Sequence, residues 1–152
     1  MLIGQELRVE NRRQSRNLLP DALRRRLDKA HGGLLRVHKA LLDHERIRYE
    51  RERGAVGGPG EFLQIVIHDQ RFAWIRPVSE LAVQIDEILS TKEPSSTDAG
   101  EALLAKALQL VVPAEHGDAF QRSYYRAVQE SPDVAVAHGE WKLASGELGR
   151  KD

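Results

Sequence analysis

Leu23, Leu27, Ala30, Leu34, Val37 and Leu41 advance along the chain by four, three, four, three and four residues, the step of one face of an α-helix. A row this long constrains the fold, because an apolar stripe must be covered by other elements along its whole length. Pro20 sits where a first helical turn tolerates proline, and the pattern continues to Tyr49, so one helix is expected over about residues 21–52. Gly32 and Gly33 interrupt it, and glycine costs a helix about 1 kcal/mol relative to alanine. The apolar phase survives across the pair. A single helix, straight or bent, whose glycines admit a close neighbour is therefore preferred to two separate helices.

A second stretch, Pro59 to Leu89, gathers Phe62, Phe72, Trp74 and a dense aliphatic pattern, and reads as the core of the fold. Phe62, Leu63, Val66 and Ile67 have helical spacing, and Trp74, Val78, Leu81, Ile85 and Ile88 follow in steps of four and three. Asp69 is placed to cap a new helical segment, so the first should end near His68, and Pro77 demands a kink or a fresh first turn. The competing arrangement is a β-hairpin of FLQIVI and RFAWI, favoured by residue type but lacking strict alternation.

Elsewhere, GAVGGPG at 54–60 is a helix stop and connection, and TKEPSST at 91–97 a polar loop. Asp98 followed by Glu101 suggests an acidic capping box opening a helix that ends at Val112. Pro113 is expected to open another helix, carrying Phe120 and Tyr124, and Pro132 a last one, carrying Val134, Ala137 and Trp141. The expected fold is all-α: a single-domain antiparallel bundle of six or seven helices. Residues 1–19 form a basic arm or weak helix, 20–145 the bundle, and 146–152 a disordered tail.

A chain of 152 residues, 41% of them hydrophobic, can bury a core without metal or disulfide. It has no cysteine, which removes disulfides, thiolate catalysis and Cys-based zinc sites and fits a cytoplasmic setting. No apolar run approaches the roughly eighteen residues of a membrane span, and MLIGQELRVENRR holds no apolar signal segment. Net charge is zero but uneven: residues 1–39 hold ten Lys or Arg against four Asp or Glu, and the remainder thirteen against nineteen. This asymmetry suits packing of the basic end against the acidic remainder of the same or another copy.

Helical projection places His38 and Glu45 on the apolar face of the long helix, with His31 in line. Buried polar groups need partners, and His116 and His138, each sharing a face with aromatic residues, are the candidates, with Asp86 able to reach inward. Convergence of His38, Glu45, His116 and His138 would make a donor set for iron, manganese or zinc. The chain contains no Glu-x-x-His or His-Glu-x-x-His, its nearest pattern being Asp28-x-x-His31. A hydrogen-bonded polar layer that fixes helix register is accordingly the favoured explanation, with acid-base chemistry by Glu45 a related alternative. The serines lack a nucleophile-elbow context, GGPG lacks the ending of a phosphate loop, and no substrate is nominated.

Arg8, Arg12 and Arg16 would share a helix face able to follow a nucleic-acid backbone. A solvated basic face is favoured over that reading, since the composition is neutral and no stacking platform is evident. Phe72, Trp74 and Arg76 form the most distinctive segment: a core anchor, or a dimer seam if Phe72 and Ile75 cannot both be buried within one subunit. The leading functional expectation is association, as a homodimer built on the long helix, rather than catalysis; the metal or acid-base site and nucleic-acid association are the alternatives.

Overall fold

The chain is described by a computed structural model covering residues 19–148. It is all-helical, with six α-helices and one 3-10 helix among these residues: α1 (Asp21–Arg53), α2 (Pro59–His68), the 3-10 helix (Gln70–Ile75), α3 (Arg76–Ser90), α4 (Thr97–Leu110), α5 (Ala119–Glu130) and α6 (Pro132–Leu148). No strand occurs among the described residues, so the hairpin alternative is excluded. Arg8, Arg12 and Arg16 lie outside them.

α1 is continuous for 33 residues, roughly 50 Å at 1.5 Å per residue. Its row from Leu23 to Leu41 is buried as expected. Gly54 ends it at φ 89, where a side chain would be strained, and its N–H donates to the Glu50 carbonyl. The glycine pair does not divide the helix; Gly33 receives Trp141 of α6, whose ring lies 2.8 Å from where a Cβ would stand. Glycine here allows a close helix crossing at the cost of propensity. α6, α3, α4 and the 3-10 helix all pack on α1, whereas α5 rests on α6 and the 3-10 helix.

The Pro59–Leu89 stretch divides in two. Phe72, Ile75, Val78, Leu81, Ala82 and Ile85 are core, but α2 buries no residue fully. It lies against the core through half-buried Phe62, Ile65 and Val66, with Arg46 of α1 over the Phe62 ring at 4.8 Å. α1, with ten buried residues, is the organising element instead. Asp69 caps as expected, accepting from the Arg71 N–H at 2.8 Å, and Pro77 falls in the first turn of α3.

Four boundaries differ from expectation. α4 is capped by Ser96, whose hydroxyl accepts from the Ala99 N–H, leaving Asp98 inside the first turn. It ends at Leu110 rather than Val112, and Pro113 opens nothing: α5 begins six residues later behind Asp118, in a capping box with Gln121. α6 runs on to Leu148, whose buried side chain and carbonyl, the latter accepting from Arg26 at 2.6 Å and 3.1 Å, hold residues assigned to a tail. Arg26 also pairs with Glu101 at 2.9 Å, tying α4 and α6 to the start of α1.

The two adjacent glycines should therefore respond oppositely to alanine. Gly33→Ala drives a methyl into the Trp141 ring and is expected to lower stability by about 1–3 kcal/mol. Gly32→Ala meets only the movable end of Arg36, at 3.5 Å, and should be neutral or stabilising by up to about 1 kcal/mol. Urea melts of both variants measure this, and equal responses would contradict the assigned role of the Trp141 contact.

Candidate functional site

The buried row of α1 turns polar at its end. Continuing Leu34, Val37 and Leu41 by three and then four residues gives His44 and Arg48, and Glu45 lies beside them. His44 and Glu45 are the buried polar residues among those described. Opposite stand the 3-10 helix and α5. Together they enclose a cavity of about 260 Å³ lined by His44, Glu45 and Arg48, by Gln70, Arg71 and Trp74, and by Ser123, Arg126 and Ala127.

Glu45, 2% exposed, accepts through Oε1 from the Trp74 indole N–H at 3.2 Å and from Arg48 at 3.0 Å. Its Oε2 is buried without a partner. Arg71 donates from Nη2 to Glu52, and its Nη1 is likewise buried and unpartnered. His44 Nε2 lies 3.3 Å from a Glu130 carboxylate oxygen. Trp74, half-buried, meets the Phe120 ring at 5.7 Å, and Phe120 stacks on Tyr124. The fully buried Tyr124 hydroxyl and His138 Nδ1 are 2.8 Å apart. Burial raises the Tyr124 pKa, and burial together with Lys142 lowers that of His138. Both shifts favour the neutral pair, in which the hydroxyl donates to the imidazole nitrogen.

Of the expected metal residues, only Glu45 belongs to this cavity. His38 is half-buried, with its pKa lowered by desolvation; His138 is engaged by Tyr124; His116 and Asp86 are exposed. No group of three or more His, Asp or Glu among the described residues could hold a metal ion. The convergence of His38, Glu45, His116 and His138 that the metal alternative required is thus not what the helices produce: the residue buried beside Glu45 is His44. Phe72 and Ile75 are both buried within the one chain, so the condition for a dimer seam at that segment is not met. Arg76 is exposed and donates to the Ile67 carbonyl at 3.1 Å, holding α2 to α3.

Sequence reasoning missed His44, Arg71 and Arg126. The first was legible, since the row of four and three leads to it; the others depend on how the 3-10 helix and α5 turn toward α1. No family model, curated protein or solved structure matches this chain. No helix among the described residues is long and apolar enough to cross a membrane.

The histidines set a direction for pH dependence. His38 and His138 titrate in the folded chain below the ordinary imidazole value, which is about 6.5. As pH falls from about 7, the unfolded chain gains these protons first, so stability is expected to fall with them. Urea midpoints at descending pH should show this decline, shallower in His138→Gln. An unchanged slope in that variant would remove His138 as a source.

Proposed function

We propose that this chain is a binding protein for a small polar molecule, held in the cavity between α1, the 3-10 helix and α5. The observation that supports this reading is the pair of unpartnered buried atoms in its walls, Glu45 Oε2 and Arg71 Nη1. An unsatisfied buried polar group costs about 1–3 kcal/mol, more when charged. Both atoms are closed to solvent, so a guest that supplies the complements of both reaches them as the Glu45 and Arg71 side chains turn toward the cavity they line. The half-buried Trp74, backed by Phe120, gives the site an aromatic face and a spectroscopic reporter.

Thermal-shift screening of the whole chain against a library of small polar metabolites tests this. Stabilisation by at least one class of compound is expected, together with a change in tryptophan fluorescence, and both should be lost in Arg71→Gln. A library without any Arg71-dependent hit would refute the proposal.

Self-association is a second reading, favoured by a different surface. On α6, Val136 and Leu143 are 62% and 80% exposed, and Gly139 and Gly146 on the same stripe have open space beside them. Two copies of this face suit each other, since the leucine of one can enter the notch left by a glycine of the other. This homodimer would be built on α6 rather than on α1. Light scattering should give a dimer mass that Leu143→Glu converts to monomer without loss of helix; a wild-type monomer at tens of micromolar would exclude it.

A further inference from the structure

The charges around the cavity narrow the class of guest. Three guanidinium groups line it, those of Arg48, Arg71 and Arg126, together with the carboxylate of Glu45, and two more carboxylates touch its lining, Glu52 on Arg71 and Glu130 on His44. Arg48 is engaged by Glu45 and one end of Arg71 by Glu52, whereas the Arg126 side chain, at the exposed rim, has no hydrogen bond or ion pair with any described residue. The side chains of Gln70 and Ser123 are similarly unengaged among the described residues. Arginine forks match the paired oxygens of carboxylate and phosphate groups, so Arg126, which no described carboxylate engages, is where this recess can take an oxyanion. Glu45 runs against this. A carboxylate 2% exposed with one oxygen unpaired repels a simple anion unless that anion also brings a hydrogen-bond donor.

Resting on the reading of the cavity as a binding site, we infer that its ligand is a small oxyanion carrying a hydroxyl or amino group. The oxyanion lies against Arg71 and Arg126, and the hydroxyl or amino donor faces Glu45. The volume of about 260 Å³ equals that of roughly nine water molecules at about 30 Å³ each, so a guest of about that number of non-hydrogen atoms fills this recess, which opens to solvent on one side. Carboxylates and phosphate monoesters share this chemistry, and paired probes distinguish them.

The test is calorimetric titration of the full chain with matched probes: malate and aspartate against succinate, glycerol 3-phosphate against methyl phosphate, and uncharged glycerol. The donor-bearing member of at least one pair is expected to bind ten or more times tighter than its donor-free counterpart. Glycerol should not bind. Arg126→Gln, a change at an exposed residue that leaves the fold intact, should weaken every anion by about tenfold, and Glu45→Gln should shrink the difference within a pair while leaving donor-free anions bound. The better of the two pairs identifies the oxyanion. Equal affinity within both pairs overturns the donor assignment, and so do anions that bind without regard to Arg126. Arg71-dependent binding of uncharged compounds alone overturns the anion class while leaving the binding function standing. Absence of binding by every probe also overturns the inference, and if the metabolite library is equally silent the binding function falls with it.

Discussion

A carboxylate taken out of water must be held by donors, and the hydrogen bonds of Glu45 with Trp74 and Arg48 determine how one end of this molecule is assembled. The indole N–H comes from the 3-10 helix and the guanidinium from the next turn of α1, so the carboxylate joins two elements at a fixed separation. Trp74 in turn positions Phe120, Phe120 stacks on Tyr124, and Tyr124 meets His138. This chain of contacts joins α5 to the 3-10 helix and to α6, which itself packs on α1. Its polar start is why α5 stands off α1 and leaves a cavity, where leucine at the same positions would have drawn the helices together.

Much of the fold was legible because it rests on periodicity. The row from Leu23 to Leu41 marks a buried face without reference to anything else, and Pro77 and Pro132 mark first turns through their fixed φ. Pro113 misled for an instructive reason. Proline permits a helical start but does not supply the acceptors that the first N–H groups need, and it is Asp118 with Gln121 that supplies them. At α4 the acceptor is the Ser96 hydroxyl, with Asp98 left inside the first turn. The α2 segment has the composition of a core and a one-sided position, because its neighbours cover only the Phe62 face.

The site was less legible. Projection on an ideal helix put His38 on the apolar face and passed over His44, six residues further on, yet it is the His44 imidazole that is buried and that of His38 only half-buried. Periodicity says which residues of a helix face inward but not what they meet. Arg71 illustrates this: in sequence it is one more arginine beside an aromatic segment, and only the approach of the 3-10 helix to α1 brings it to Glu52 and the cavity wall. Gly33 is a similar case, its neighbour being 108 positions away at Trp141.

Stability alone does not account for the polar end of α1. Replacing buried ion pairs by apolar residues of similar size is often neutral or stabilising, so folding by itself would favour continuing the leucine row through positions 44, 45 and 48. A layer that served only to fix helix register would explain the polarity, but such a layer functions by being fully satisfied, since each open hydrogen-bonding position weakens the preference for the correct register. Here Glu45 keeps one oxygen and Arg71 one nitrogen unpaired in residues that line a cavity, while Arg126 stands at the rim in no ion pair with any described residue. A device for register alone would close those positions within the protein.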